Sequence, residues 1–454
     1  MISRLLIGPR HPRRALSLAA LLACWLILPT MPDGTQAQTP SPITSSGLNT
    51  TVTKSGNVFD ITGGTRPGSG PNLFHSFGEF GVPISNVANF LNDSGLATSN
   101  ILGRVTGGNP SNIFGTIQTT GFGSANLFLM NPAGIVFGPN ASLNVGGSVS
   151  FTTADYLRLT DGTRFNALPG PKDAAISSAP VAAFGFLGSN PAAITVQGGQ
   201  LSVAEGQAIS LAGGNITMTG GTPQSGTTQP ARLAAPGGEI NIASVASPGE
   251  LLTGTLEPAP NINGQSFGAL GAIQVSQKSL IESSGAGSGA VSIRGGQFVM
   301  NDSTISATAT SPGAGPPAPE NRGTVTLSAS TIQLENGATI WANAENGGSA
   351  GTIVLQGIEG TDSAAQNVTL NNATLSTIIN GGNAANTPGA ITITADRVTL
   401  NNGTYVTADT LGNAPAGNIT FNAGTLTTGG SIRLHVSPEK FDHQPDHFRD
   451  GRTD

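Results

Sequence analysis

Apolar residues alternate with small polar ones along the C-terminal half of the chain, and the alternation recurs in units of similar length. In units that begin at Gly289, Gly323 and Gly389, apolar residues lie two and four positions after the glycine, and a second apolar pair begins seven residues after the first. Alternation with a period of two predicts β-strands. A unit of three short strands cannot bury its apolar face alone, so the units are predicted to stack.

The apolar pairs define which residues face the interior of that stack. They are Val291/Ile293 with Phe298/Met300, Val325/Leu327 with Ile332/Leu334, and Ile391/Ile393 with Val398/Leu400. The spacing of two and the many Gly, Asn and Thr residues exclude a helical structure, and a β-propeller needs longer blades. The prediction is an all-β fold, a parallel β-helix whose rungs lie about 4.8 Å apart with inward Val, Ile, Leu and Phe stacked along the axis.

The most regular passage of the N-terminal half, residues 126–153, contains two turn signals. Pro132 fixes φ, the Asn131 side chain accepts hydrogen bonds from the backbone downstream, and Gly134 suits the exit of a turn. A type I turn is therefore predicted between two short strands, and a second turn follows at 138–140. Beyond it, a single strand face is predicted for the in-phase residues Leu143, Val145, Val149 and Phe151.

Composition narrows the class of protein. Glycine and proline, with 64 and 30 residues among 454, make up about a fifth of the chain, whereas charged residues are 10% and aromatic residues 5%. A charged disordered chain and a core of large side chains both fit this composition poorly. The formal net charge of -6 and the lack of a basic stripe argue against a nucleic-acid partner.

The N-terminus has the pattern of a secretory signal peptide. Four arginines precede an apolar run at residues 15–28, and small residues follow at the positions that signal peptidase requires. Residues 1–37 are predicted to be removed by cleavage after Ala37. The apolar run is too short for a comfortable membrane span, and no transmembrane segment is predicted in the mature chain. Cys24, the one cysteine, lies inside the run, so the mature chain cannot depend on disulfides.

A second segment repeats the Asn-Pro pair of residues 131–132. Asn109 and Pro110 precede another short strand, and an aromatic-rich run at 72–90 lies upstream. Together these segments resemble the N-terminal secretion domain of filamentous-haemagglutinin-type exoproteins, the haemagglutination-activity domain of two-partner secretion systems. The resemblance covers about residues 45–160.

Members of that family carry two Asn-Pro motifs, of which the second is usually Asn-Pro-Asn-Gly-Ile. The matching residues here are Asn109, Pro110, Asn131, Pro132, Gly134 and Ile135. Ala133 departs from the second motif, and Ser111 and Asn112 depart from the usual continuation of the first. The resemblance implies that the matching residues form a secretion motif and shape turns that export requires.

The resemblance also implies a fold, a partner and a destination. The fold is a right-handed parallel β-helix whose N-terminal secretion domain is capped. The partner is an outer-membrane β-barrel transporter whose POTRA domains recognise the secretion domain in the periplasm and which passes the unfolded chain outward. The exoprotein is then expected at the cell surface or in the extracellular space, where it acts as an adhesin. Retention or release, and a complete or truncated chain, stay open as alternatives.

Four segments are predicted from these observations. Residues 1–37 are the signal peptide and residues 38–165 the two-partner secretion domain. Residues 166–434 are a β-helical repeat region, and residues 435–454 are a charged, disordered tail.

A polysaccharide-degrading enzyme on the same scaffold is the alternative function. Such an enzyme needs carboxylates grouped with Arg or Lys on adjacent rungs. The carboxylates of the repeats stand singly, at Asp302, Glu335, Asp362, Asp396 and Asp409. His443 and His447 have a spacing seen in metal sites, but no partner ligands converge on them. The prediction is a non-enzymatic protein without a cofactor or a metal site.

Overall fold

A computed structural model describes residues 42–436, apart from 171–175, 256–266, 287–288, 311–322, 347, 361–362 and 383–385. The predicted signal peptide with Ala37, and residues 437–454 of the predicted tail, lie outside the described residues. Within them the structure has 37 strands and one short 3₁₀ turn, Pro67–Ser69.

The strands follow one another in chain order. The first twelve are β1 Thr44–Gly47, β2 Thr50–Ser55, β3 Val58–Gly63, β4 Asn72–Glu79, β5 Val87–Leu91, β6 Asn100–Val105, β7 Ser111–Ile113, β8 Thr116–Thr120, β9 Asn126–Met130, β10 Ile135–Phe137, β11 Ser142–Asn144 and β12 Val149–Thr152. The next twelve are β13 Tyr156–Leu159, β14 Arg164–Asn166, β15 Val181–Phe186, β16 Ile194–Gln197, β17 Gln200–Ser202, β18 Ala208–Gly213, β19 Ile216–Thr219, β20 Arg232–Ala234, β21 Glu239–Ser244, β22 Gly249–Leu252, β23 Ala272–Val275 and β24 Leu280–Glu282. The remaining strands are β25 Ala290–Asn301, β26 Thr304–Ser306, β27 Val325–Glu335, β28 Thr339–Trp341, β29 Thr352–Gln356, β30 Ala365–Asn371, β31 Thr374–Ser376, β32 Ile379–Asn380, β33 Ala390–Asn401, β34 Thr404–Thr407, β35 Thr410–Leu411, β36 Asn418–Gly429 and β37 Ile432–His435.

These strands form a parallel β-helix in which each turn of the chain adds one rung with three faces. Face 1 is the column β4, β6, β9, β12, β18, β21, the first parts of β25 and β27, β29, and the first parts of β33 and β36. Face 2 is the column β7, β10, β16, β19, β23, the second parts of β25 and β27, β30, and the second parts of β33 and β36. Face 3 is the column β3, β5, β8, β11, β17, β20, β24, β26, β28, β31, β34 and β37. The parallel pairing within each column confirms the predicted all-β parallel β-helix.

The predicted inward residues form the interior. Where β25 pairs with β27, Val291 lies beside Val325 and Phe298 lies beside Ile332. The apolar pairs of all three repeat units are between 0% and 2% exposed. Full burial of such a side chain stabilises the fold by about 1.5–3 kcal/mol relative to exposure. Each rung is therefore held by the apolar residues of the rung before it.

Left-handed backbone marks the corner where face 2 turns into face 3. Asp302, Asn336, Asn372 and Asn402 occupy this corner on successive rungs, with φ of 42°, 54°, 53° and 38°. Asn and Asp adopt this conformation more readily than other residues with a side chain, glycine apart. The left-handed backbone of this corner therefore explains why Asn or Asp follows the second apolar pair in each unit.

Glycine opens each unit because rungs stack backbone on backbone where face 3 turns into face 1. A Cβ atom on Gly351 would lie 1.8 Å from the carbonyl oxygen of Gly323. One on Gly417 would lie 2.0 Å from the carbonyl oxygen of Gly389. A side chain at this corner would push two rungs apart.

Gly351→Ala is expected to lower the free energy of unfolding by about 1–3 kcal/mol, the usual cost of overpacking. Gly188→Ala is the matched control, because no atom lies within 4 Å of the position of its Cβ. Urea unfolding followed by far-UV circular dichroism measures both. Equal unfolding midpoints for the two variants would contradict close stacking at the corner.

The prediction of a single strand face through residues 143–151 is wrong. β11 ends on face 3 and β12 begins on face 1, so a corner separates them. Gly147 lies in this corner, where a Cβ atom would be 2.4 Å from the carbonyl oxygen of Ala125. The apolar residues of the passage still face the interior, because the chain keeps its inward phase on both sides of the corner.

Antiparallel strands cover the first rung as a cap. β1 pairs with β4 and β2 with β3, whereas β3 continues face 3 in parallel with β5. Phe59, Ile61, Phe77, Phe80 and Phe90 fill this end of the interior, each at most 3% exposed. The cap and its aromatic filling agree with the capped secretion domain that the sequence predicts.

A second sheet covers the outside of face 1 in the N-terminal half. Two excursions from the rungs form this four-stranded antiparallel side sheet, in the order β14-β13-β15-β22. Phe74 of β4 and Leu102 of β6 point outward from face 1 and pack with Leu157, Phe165 and Phe184 of the side sheet. Phe74 is thus separated from Phe77 and Phe80, with which the sequence groups it.

Candidate functional site: the stacked Asn-Pro turns

Both predicted Asn-Pro motifs lie where face 1 turns into face 2, on consecutive rungs. Asn109-Pro110 connects β6 to β7, and Asn131-Pro132 connects β9 to β10. β7 and β10 pair in parallel, with Ser111 beside Ile135. The structure therefore brings the two motifs together at one corner, which we call the Asn-Pro corner.

The side chain of Asn131 joins the two motifs directly. Its Nδ2 donates to the backbone oxygen of Asn109 at 3.0 Å and to Oγ of Ser111 at 2.9 Å. Its own backbone N–H donates to the oxygen of Thr152 on the next rung, at 2.9 Å. Asn131 is 1% exposed, so these bonds lie out of water and losing them would leave buried polar atoms unpaired. One residue thus connects three consecutive rungs.

The turn that follows Asn131 is closed from within. The Gly134 N–H donates to the Asn131 carbonyl oxygen at 3.1 Å, which confirms a hydrogen-bonded turn, and the Ala133 N–H donates to Asn131 Oδ1 at 2.9 Å. Gly134 has a φ of +115°, and a Cβ there would lie 3.3 Å from the oxygen of Ala193. The backbone angle therefore favours glycine, and a side chain here would also fit tightly against the next rung.

Ala133, where the family motif usually has Asn, contributes only its backbone N–H to the hydrogen bonds of the turn. Its side chain is partly exposed and makes no hydrogen bond, so alanine leaves the geometry of the turn intact. The departure from the motif changes the surface of the corner and not its folding.

The first motif is the more exposed of the two. Asn109 and Pro110 both face solvent, and Asn109 Nδ2 donates to Oε1 of Glu79 on the preceding rung at 2.8 Å. Ser111 is fully buried, and its N–H donates to the oxygen of Gly134 at 3.0 Å. Ser111 departs from the family pattern, yet its hydroxyl and amide both serve the second motif.

Sequence reasoning missed the residues that complete this corner. Thr152 and Ala193 supply backbone oxygens to Asn131 and Ile135, the latter at 3.2 Å. Backbone acceptors carry no residue-type signal, so the sequence alone could not reveal them. Ser111 could have been found, because a small hydroxyl residue directly after Asn-Pro stands in phase with Ile135 of the next rung.

A buried polar network connects the cap to the side sheet. Nε of Arg104 donates to Oγ of Ser76 at 3.0 Å, and its Nη1 donates to the oxygen of Asn166 in β14 at 2.9 Å. Its guanidinium lies 5.1 Å from the centre of the Phe165 ring. The single cation therefore holds β4, β6 and the side sheet together.

His75 lies in the cap interior, next to that network. Its ring is 6.0 Å from that of Phe77 and 5.7 Å from that of Phe90. Nδ1 is 3.3 Å from Oγ1 of Thr50, whereas the buried Nε2 has no hydrogen-bond partner among the described residues. Burial is the main reason that the pKa of His75 falls from 6.5 to about 3. The imidazole is therefore neutral in the folded protein at pH 7.

A charged cluster fastens β22 to the rest of the side sheet. Glu250 accepts hydrogen bonds from the Tyr156 hydroxyl at 2.6 Å and from Nε of Arg158 at 2.8 Å, and Nη2 of Arg164 lies 3.8 Å away. Burial, together with the bond to Glu250, raises the pKa of Tyr156, so the phenol stays protonated and donates. Glu250 lies 94 positions from Tyr156 and 92 from Arg158, so no sequence motif indicates the cluster.

The carboxylates of the repeats are distributed over several places on the rungs, and two of them share a corner. Asp302 and Glu335 lie where face 2 turns into face 3, and Asp396 lies where face 1 turns into face 2. Asp409 follows face 3 and accepts a hydrogen bond from Oγ1 of Thr407 at 2.5 Å. Asp362 lies outside the described residues, as do His443 and His447. No group of three or more His, Cys, Asp or Glu in the described ranges could hold a metal ion.

In the part of the chain that the structure describes, no helix is long and apolar enough to span a membrane.

Comparison with known proteins assigns a family to the part of the chain that contains the Asn-Pro corner. The family model described as the TPS secretion domain matches residues 40–293. That range includes the cap, the side sheet and both Asn-Pro motifs, and it ends within β25. No curated protein matches the chain.

Two secretion domains are among the solved structures that are similar to this chain. The crystal structure of the HMW1 secretion domain from Haemophilus influenzae is 15% identical, with 87% of this chain and 100% of that chain covered and a TM-score of 0.46. The crystal structure of the filamentous hemagglutinin secretion domain is 15% identical, with 86% and 100% covered and a TM-score of 0.35. Both TM-scores are below 0.5, so the family assignment rests on the family model.

Proposed function

This chain belongs to the family of TPS secretion-domain proteins, and we propose that its Asn-Pro corner is part of the surface by which an outer-membrane transporter recognises it. Membership makes it the exoprotein of a two-partner secretion system, secreted across the outer membrane with the help of a partner transporter. The proposed partner is a β-barrel with periplasmic POTRA domains. Residues 38–165 are proposed as the two-partner secretion domain, after removal of a signal peptide by cleavage at Ala37.

One observation carries the proposal: Asn131 locks both Asn-Pro motifs into a single corner. Asn109 and Pro110 are exposed there, and Pro132 and Ala133 are partly exposed. The hydrogen bonds of Asn131 to Asn109 and Ser111 fix the spacing of these groups without covering them. A partner that docks on this corner would meet a surface whose backbone is already ordered, which lowers the entropy cost of binding.

Outside the cell the protein is proposed to act as a non-enzymatic adhesin. The repeats present small polar side chains on long parallel columns, which suits contact with an extended surface. Of the carboxylates of the repeats, Asp302 and Glu335 share one corner on adjacent rungs, whereas Asp396 and Asp409 lie elsewhere on the rungs.

Asn131→Ala is expected to reduce the amount of exported protein several-fold when the chain and its transporter are produced together. The substitution removes two side-chain donor bonds and leaves the buried hydroxyl of Ser111 without a hydrogen-bond partner among the described residues, which costs about 2–3 kcal/mol of local stability. Export is measured as the fraction of the chain in the culture medium. Asn140→Ala is the matched control, because Asn140 is also next to a proline in a turn of the same rung but is exposed.

A second pair of variants separates recognition from folding. Pro110→Ala and Pro132→Ala alter the surface of the corner and keep the Asn131 bonds, so the melting temperature should change little while export and binding to the purified POTRA region decrease. Normal export of both proline variants would contradict recognition at this corner. Export that persists without the transporter would contradict the two-partner route itself.

A further inference from the structure

A groove runs along the outside of face 1, beginning beside the side sheet and continuing beyond it. Its floor is one outward residue from each of five consecutive rungs, which we call the axial row: Ser150, Ser210, Asn241, Ser292 and Thr326. Two hollows of about 310 Å³ and 410 Å³ lie along this row and share Glu239, Asn241 and Gly254 in their lining. Volumes of this size are typical of sites for small ligands.

The walls of the groove come from segments that leave the β-helix. Thr253 and Gly254, just after β22 of the side sheet, form one wall. Gly360, in the loop after β29, lines the other side of the larger hollow. Arg294 braces this second wall, because its Nη1 donates to the backbone oxygen of Ile358. Ser and Thr also occur on other columns of the β-helix, so their presence alone does not form a groove. The two walls make this stretch concave.

The axial row offers hydrogen-bonding groups at regular spacing. Successive rungs place its members about 4.8 Å apart along the axis. Among the described residues, the hydroxyls of Ser150, Ser210, Ser292 and Thr326 have no hydrogen-bond partner, and Asn241 uses only Nδ2, which donates to the oxygen of Gly254 at 3.1 Å. Hydroxyls both donate and accept, so the row can pair with groups that do the same.

Charge within the groove is balanced. Glu239 and Arg294 are the charged residues that line the larger hollow, and they carry opposite signs. A polyanion or a polycation would therefore gain little electrostatic binding energy from this surface, whereas the affinity of a neutral ligand does not depend on it.

We propose that the groove binds a neutral oligosaccharide that lies along the axial row. A chain of sugar units presents hydroxyls at a spacing comparable to the rungs. These can pair with Ser292 and Thr326, which are partly exposed, and with the exposed edges of Ser150, Ser210 and Asn241, which are 5–8% exposed. A peptide fits less well, because the backbone groups of face 1 already pair within their column. The outward apolar side chains on the floor of the larger hollow are only Ala290 and Val354, too few to hold peptide side chains. This activity does not depend on the proposed role of the Asn-Pro corner.

Binding of the purified chain to neutral hexasaccharides of glucose, mannose and N-acetylglucosamine, measured by isothermal titration calorimetry, tests the proposal. At least one of these is expected to bind, and a hexamer of galacturonic acid is expected to bind more weakly. The double substitution Ser292→Ala with Thr326→Val removes two adjacent hydroxyls from the row and should weaken binding about tenfold. Both positions are on strands whose inward residues stay unchanged, so the fold is retained.

Thr399→Val is the matched control, because Thr399 points outward from face 2 beside Thr369 and lies outside the groove. It should leave the affinity unchanged, and circular dichroism should be the same for both variants. Four outcomes would overturn the proposal: no neutral hexasaccharide binds, only the acidic one binds, the double substitution leaves affinity unchanged, or an extended Gly-Ser peptide binds as tightly as the best sugar.

Discussion

Acidification from pH 7 to pH 4 is expected to loosen the N-terminal cap through protonation of His75. The pKa of His75 is about 3 in the folded protein, against 6.5 as the ordinary value, mainly because the ring is buried. Arg66 also lowers the pKa, whereas Asp93 opposes the shift. Below pH 6.5 the unfolded chain therefore binds a proton that the folded cap does not.

The direction and size of the effect follow from that difference. The stabilisation is fully present above pH 6.5 and decreases by about 1.4 kcal/mol per pH unit as the pH falls towards 3. At pH 4 the loss from this one residue is about 3 kcal/mol. Protonation would place a charge between the rings of Phe77 and Phe90, where Thr50 is the one hydrogen-bonding neighbour among the residues that the structure describes.

His75→Leu provides the comparison, since leucine has a similar volume and no ionisable group. Amide hydrogen exchange of β2 to β5 at pH 7, 5 and 4, corrected for the intrinsic rate at each pH, reports the opening of the cap. We expect the wild-type cap to lose protection with falling pH and the variant cap to lose less. Parallel loss of protection in the two proteins would show that carboxylates, and not His75, govern the acid response.

Phe77→Ala and Phe74→Ala are each expected to lower the free energy of unfolding by about 3–5 kcal/mol, and to do so in different parts of the molecule. Both rings are 0% exposed and lie three residues apart on β4. Phe77 packs inside the β-helix, 5.0 Å from Phe80 and 6.1 Å from Phe90 between ring centres. Phe74 packs outside it, 4.9 Å from Phe165 of the side sheet.

Hydrogen exchange distinguishes the two variants because each empties a different cluster. Phe77→Ala should raise exchange in β2 to β5, where the cap loses its central ring. Phe74→Ala should raise exchange in β13 to β15 and leave the cap protected. A loss of protection in the same strands for both variants would mean that the side sheet and the cap do not have separate apolar cores.

The repeat made much of the fold predictable. Inward pairs such as Val291 and Ile293 continue one ladder only if each rung keeps the register of the rung before it, so their spacing determines the stacking. The Asn-Pro turns were predictable for a local reason, because Pro132 and Gly134 restrict the conformation of their own backbone. The prediction of one strand face for residues 143–151 was wrong because the apolar residues on both sides of this corner point inward at every second position. A continuous strand shows the same alternation of apolar and polar residues.

Local chemistry therefore determined which residues of this chain turn, which face inward and how its rungs stack, because these depend on neighbours within one repeat. Tertiary structure alone decided which groups meet across the repeats. Asn131 donates a hydrogen bond to Ser111, which lies 20 positions away, and Tyr156 donates one to Glu250, which lies 94 positions away. The side sheet, the division between Phe74 and Phe77, and the groove along face 1 all depend on where excursions fold back onto a column. No periodic signal encodes that return, since the excursions have no repeat of their own.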